Sequence, residues 1–135
     1  MTSIPMTSRS MMLDRLPTQE LERLQSCLQR VTLERDQVLY QAGQQMASVY
    51  FPVTARVDEV LPQPQGESHP VRQIDAHSMA GSCALGHPHT MLTARVVTTG
   101  TAYAMTYAAF ARALDEVPSF RELVMQDVAR ACLVS

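Results

Sequence analysis

Three rhythms of apolar and polar positions follow one another along this chain. From Thr18 to about Arg30, Leu21, Leu24, Leu28 and Val31 fall on one helical stripe, with Glu20, Glu22, Arg23 and Gln29 on the other side. Thr18, after Pro17, is the expected N-cap of that helix. The rhythm then shortens. Val38-Leu39-Tyr40, Ser48-Val49-Tyr50-Phe51, Val53 to Leu61 and Val71 to Ile74 are β-rich runs bounded by turn residues, and Gly43 is expected to take positive φ in the first turn. Pro62 to Pro70 holds too much proline and polarity for regular structure, and its Gly66 suits a hairpin tip. Ala94 to Met105 is a long β-like run broken at Thr99-Gly100-Thr101, read as two strands around a tight turn or bulge. A helical rhythm returns at Tyr107 to Leu114. After Pro118, the S-x-x-E run from Ser119 to Glu122 is a capping box for a last helix, with Phe120, Val124, Val128 and Ala131 on its apolar face.

Helix, then short strands punctuated about every 8–12 residues, then two helices, with no βαβ alternation, predicts a mainly β fold. The expected class is an antiparallel β-roll or jelly roll with an N-terminal helix and C-terminal helices. At 135 residues and 46% apolar composition the chain is one domain that can bury a core without metal or disulfides. Residues 1–12 read as a flexible tail and 13–135 as the domain. Cys27, Cys83 and Cys132 form no CxxC and imply reduced thiols in a cytoplasmic protein. The N-terminus lacks the apolar run of a signal peptide, and no stretch approaches a membrane span. Net charge is −2 and all eleven basic residues are arginine, which gives no field for phosphate backbones. Direct nucleic-acid contact by this chain is not expected.

Candidate chemistry gathers between Met79 and Val97. Gly81 and Ser82 open a small-residue turn, His87-Pro88-His89 follows in a loop, and Arg95 lies inside a strand-like run, where it reads either as an anion clamp or as an ion-pair partner. Two histidines two apart on a strand can share a metal ion. The spacing Gly81-x5-His87-x-His89 resembles the opening of the first cupin motif, so a small metal-dependent cupin-like enzyme using His87 and His89 is the alternative. The carboxylate that would complete such a site is absent, because Thr93, Ala94 and Arg95 stand in its place. No nucleophile, base and orienter set is visible around Ser78 or Ser82.

Taken in order, Leu16-Pro17 before a Glu/Leu-rich helix, Val38-Leu39-Tyr40-x-x-Gly43, Val49-Tyr50-Phe51-Pro52, Met79-Ala80-Gly81 and Ala94-Arg95-Val96-Val97-x-x-Gly100-Thr101-Ala102 are similar to one known pattern. The chain resembles the cyclic-nucleotide-binding-like sensory domain of the catabolite-activator (Crp/Fnr) transcription regulators over roughly residues 11–135. The resemblance implies a non-enzymatic sensory or regulatory domain. Members that bind cyclic nucleotide hold the ribose with a Gly-Glu pair and the phosphate with an arginine followed by small residues. Here Gly81 matches the glycine, Ser82 falls where the glutamate stands, and Leu92 falls at the arginine's place, followed by Thr93 and Ala94.

The resemblance therefore implies no cofactor, no cyclic AMP binding, and a small-molecule effector, if any, near Gly81, Ser82, Leu92, Thr93 and Arg95. Pairing with a second copy or a partner regulator is expected through Val124, Val128 and Ala131 of the last helix. Related regulators continue from that helix into a helix-turn-helix domain. This sequence stops within it, as a stand-alone relative or a piece of a longer DNA-binding regulator.

Overall fold

Short β-rich segments must find partners elsewhere in the chain, and here they pair into two antiparallel sheets. The structure, a computed structural model, describes residues 10–63, 69–82 and 90–134. A 3₁₀ turn at Leu13–Arg15, helix α1 (Thr18–Leu24) and a second 3₁₀ turn at Gln25–Cys27 lead into seven strands. These are β1 (Gln29–Leu33), β2 (Val38–Tyr40), β3 (Ser48–Pro52), β4 (Arg56–Leu61), β5 (His69–Ile74), β6 (Thr93–Thr98) and β7 (Gly100–Thr106). Helices α2 (Tyr107–Glu116) and α3 (Pro118–Val134) close the described chain. One sheet has the order β1-β7-β3 and the other β2-β6-β4-β5. The expected mainly β roll with flanking helices is what forms.

Several local expectations are corrected. The first helix ends at Leu24 rather than near Arg30. Leu28 is already extended, and Val31 pairs with Ala102 in the β1–β7 ladder. A weak helical stripe there loses to β-branched residues with a strand to join. Thr18 is the first helical residue and not the cap, a position taken by Pro17, whose carbonyl accepts from the Leu21 N–H at 3.0 Å. The capping box at Ser119 does not form. Pro118 already occupies the first helical position, where its missing N–H is harmless, and the Val117 carbonyl accepts from the Arg121 N–H at 3.1 Å. Residues 10–12 belong to the packed domain and not to a tail: Ser10 and Met12 are buried, and the Met12 N–H donates to the Ala76 carbonyl at 3.0 Å. Gly43 does take positive φ, at 84°.

The break at Thr99 is a change of sheet and not a hairpin, since β6 and β7 lie in different sheets. A Cβ on Gly100 would stand 2.5 Å from the Ala55 nitrogen and 2.6 Å from the Thr54 carbonyl carbon, so only glycine lets the crossing backbones approach. Next to it, the Thr101 carbonyl accepts from the N–H groups of Val53, Thr54 and Ala55 at 2.9, 3.2 and 3.2 Å, which holds the irregular link between β3 and β4.

The core runs between the sheets through Val49, Phe51, Val57, Ile74, Ala94, Val96, Ala102 and Met105. Thr106 caps α2, its hydroxyl accepting from the Ala109 N–H at 3.1 Å. Phe120 then fixes α3 to the roll, with ring centroids 6.0 Å from both Phe51 and Phe110. Buried aromatic packing of this kind contributes both area and specific geometry. The first turns of α3 are thereby held against the roll, close to the inner end of β5.

Candidate functional site

The segment Met79-Ala80-Gly81 is held on the edge of β3. Ala80 and Tyr50 exchange both backbone hydrogen bonds, at 2.8 and 3.0 Å. Gly81 then turns with φ at 111°, and a Cβ there would stand 2.8 Å from Val49 Cγ1 and 3.1 Å from Met46 Sδ. Both the conformation and the space demand glycine. The turn delivers Ser82 to a fully buried position.

What meets Ser82 is an arginine from a different strand. Arg72 of β5 donates through Nη1 to Ser82 Oγ at 3.1 Å and to the Met79 carbonyl at 3.2 Å, while Nη2 donates to Asp127 Oδ2 of α3 at 2.6 Å. Arg72 Nη1 also lies 3.6 Å from Glu59 Oε1 on β4, its direct cross-strand partner. Glu59 in turn accepts from the Tyr40 hydroxyl of β2. One guanidinium therefore joins β5, the Gly81-Ser82 turn, β4 and α3. Its planar fork suits several fixed acceptors at once, which a lysine ammonium does not match.

The site is dry and charged. The Glu59 and Asp127 side chains are 0% exposed and that of Arg72 is 11% exposed. Removing such ions from water costs several kcal/mol each, offset here only because the hydrogen bonds are made. Arg130, one turn on from Asp127, brings a second cation to the rim, with Nη2 3.7 Å from Asp127 Oδ1. Among the described residues no hydrogen-bond donor reaches that buried Oδ1. On the solvent side, a cleft of about 250 Å³ is lined by Arg72, Gln73, Asp75, His77, Ser78, Asp127 and Arg130. His77 Nδ1 lies 3.5 Å from Asp75 Oδ1 at its mouth.

Of the residues singled out from sequence, Gly81 and Ser82 are in this site. Leu92 and Thr93 are half-buried, and Thr93 Oγ1 accepts from the Ala42 N–H at 3.0 Å. Arg95 is exposed: on β6 the buried residues are Ala94 and Val96, so Arg95 points away from the interior and forms no clamp with the Gly81-Ser82 turn. Val124, expected on a pairing face, is fully buried in the domain's own core, and Val128 is packed partly against it. Ala131 falls in α3 beyond the described side chains, and His87 and His89 lie outside the described residues.

The model of the family described as "Cyclic nucleotide-binding domain" matches residues 30–117, well over half of the chain. The chain belongs to the cyclic nucleotide-binding domain family. No curated protein sequence matches it. Among solved structures, this family member is similar to the N-terminal domain of a transcriptional regulator from Streptomyces coelicolor A3(2), at 19% identity and a TM-score of 0.67, covering 89% of this chain and 86% of that one. It is similar also to the sensor domain of the transcriptional regulator DNR from Pseudomonas aeruginosa, at 16% identity and a TM-score of 0.69, covering 89% and 82%. A third is a CooA mutant from Carboxydothermus hydrogenoformans, at 13% identity and a TM-score of 0.73, covering 99% and 85%. At these identities the likeness is one of fold.

Glu59, Arg72 and Asp127 were not among the residues the sequence singled out, although a signal was present. Glu59 follows buried Val57 by two positions, Arg72 precedes buried Ile74 by two, and Asp127 follows buried Val124 by three. Each is a charged residue at a core-facing position of its strand or helix.

Proposed function

We propose that this chain is a small-molecule-sensing domain of a transcription regulator, that α3 carries its output, and that cyclic AMP is not its effector. The observation that carries this reading is the Arg72 junction. Where the resemblance places a ribose-holding glutamate, Ser82 is buried beneath the chain's own guanidinium, which passes directly to Asp127 on α3. A ribose at that turn would have to displace a desolvated ion pair, and no carboxylate at position 82 offers compensation. The fold shared with the sensor domain of DNR and with the N-terminal domain of the Streptomyces coelicolor regulator supports a regulatory and not a catalytic role.

In this reading an effector that rearranges the Gly81-Ser82 turn changes the hold of Arg72 on Asp127 and so the seating of α3. With Val124 committed to the core, pairing with a second copy or a partner regulator falls to the outward face of α3, where Met125 is 51% exposed. None of the described helices is long and apolar enough to cross a membrane, in keeping with a cytoplasmic regulator. The net charge of −2 without lysine leaves DNA contact to another polypeptide or domain.

Calorimetric titration with cyclic AMP, cyclic GMP and cyclic di-GMP tests the reading. No saturable heat is expected from cyclic AMP at millimolar concentration. Stoichiometric cyclic AMP binding would overturn it.

A further inference from the structure

We propose that the open edge of β1 binds a second copy of this chain, β1 pairing antiparallel with β1 about a two-fold axis at Thr32. This surface is separate from α3 and does not rest on the effector reading above. An edge strand presents unpaired N–H and C=O groups, which folds usually blunt. Three of the four edges formed by the described strands are blunted. β3 is covered by Ala80 through two backbone hydrogen bonds. β2 is three residues long with a register shift between Val38 and Tyr40, and β5 carries Pro70 and a bulge at Val71. β1 is different. Its five residues pair with β7 without a shift, include no proline, and have no strand on their other side among the described residues.

The ladder fixes which groups face that edge. Tyr50 exchanges its backbone bonds with Ala80, so Ala104 opposite it turns to β1, and by alternation Gln29, Val31 and Leu33 bond β7. The N–H and C=O of Arg30 and Thr32 therefore face outward. Charge then selects the register. With the axis at Thr32, Thr32 meets its own copy and exchanges two hydrogen bonds, Val31 meets Leu33, and Arg30 meets Glu34 twice, once on each side. Arg30, Thr32 and Glu34 are all exposed, and the Arg30 guanidinium is already steadied 5.9 Å from the centroid of the Tyr103 ring. Other registers fit worse. An axis at Arg30 opposes two arginines, and one at Val31 sets Glu34 against Leu28. An axis at Leu33 needs Asp36 in the ladder, where φ is 71° and the N–H donates to the Val96 carbonyl at 2.8 Å.

The test is sedimentation equilibrium of the whole chain carrying Met125→Glu, which places a charge on the outward face of α3 and leaves β1 intact. A monomer–dimer equilibrium is expected to persist in this background. Glu34→Arg, at an exposed position, sets Arg30 against arginine at both ends of the ladder and should weaken the dimer at least about tenfold at low ionic strength. Adding Arg30→Glu to Glu34→Arg restores opposite charges and should recover the dimer. Thr32→Pro removes an outward N–H, a change an edge strand tolerates, and should leave a monomer with an unchanged circular dichroism spectrum. If Thr32→Pro does not fold, the charge exchange decides alone. A strict monomer in the Met125→Glu background overturns the proposal, as does a dimer indifferent to Glu34→Arg or one the double exchange does not recover. Loss of association by Met125→Glu itself would defeat this proposal while leaving pairing through α3 standing.

Discussion

Replacing Arg72 by methionine removes the one guanidinium shared by two fully buried carboxylates. Methionine keeps most of the aliphatic bulk, so the loss is chiefly electrostatic. Glu59 keeps the Tyr40 hydroxyl, but Asp127 loses its 2.6 Å partner and Ser82 its donor. Breaking a buried ion pair from one side costs about 3–5 kcal/mol. Against a total stability of about 5–15 kcal/mol for a domain, that is a large share.

With a urea slope of about 1–3 kcal/mol/M, the unfolding midpoint should fall by at least about 1 M. The chain has no tryptophan, so unfolding is followed by far-ultraviolet circular dichroism. The single variant does not isolate the contact with α3, and a double-mutant cycle with Asp127→Leu does. Once Asp127 is leucine, losing Arg72 strands only Glu59, so the second substitution should cost less in that background. A coupling energy of about 1.5–3 kcal/mol is expected for a charged hydrogen bond of this kind. Coupling within about 0.5 kcal/mol of zero, the range seen for independent sites, would refute the claim that Arg72 ties β5 to α3.

Two further outcomes follow from the local geometry. Gly81→Ala places a methyl group 2.8 Å from Val49 Cγ1 at a φ of 111°, and should destabilise the domain by about 1–3 kcal/mol or more in the same urea assay; a neutral effect would mean that the turn is not as described. Asp58 has its pKa raised by burial, with Arg56 pulling the other way. Its folded form thus holds the proton more tightly than the unfolded chain, so its stabilising contribution is present below the ordinary value of 3.8 and is lost as pH rises through the raised value. Asp58→Asn should flatten that part of the stability-versus-pH curve and be slightly more stable at neutral pH, by less than about 0.5 kcal/mol because the group is largely solvated. An unchanged pH profile would contradict the assigned direction.

The sequence by itself determined the class of fold and the order of most elements. The β-rich runs Val38-Leu39-Tyr40 and Val49-Tyr50-Phe51, the positive-φ glycine at 43 and the Phe120–Val124 spacing are local signals, and local physics honours them. It also located Gly81-Ser82, because a turn that closely packed accepts only small residues. Tertiary structure decided the rest. Whether 28–33 is helix or strand depended on β7 offering Gln29–Leu33 a ladder, and whether 99–101 is a hairpin depended on the sheet that β7 joins. Arg95 was the conspicuous arginine in the sequence, yet strand parity turns it outward. Arg72, inconspicuous beside a proline-rich loop, is turned inward. Glu59, Arg72 and Asp127 are separated by 13 and 55 residues along the chain. Only the pairing of β4 with β5 and the seating of α3 by Phe120 bring the three charges into one desolvated cluster. A charge at a core-facing position is visible in a sequence, but the partner that makes its burial tolerable is fixed by packing.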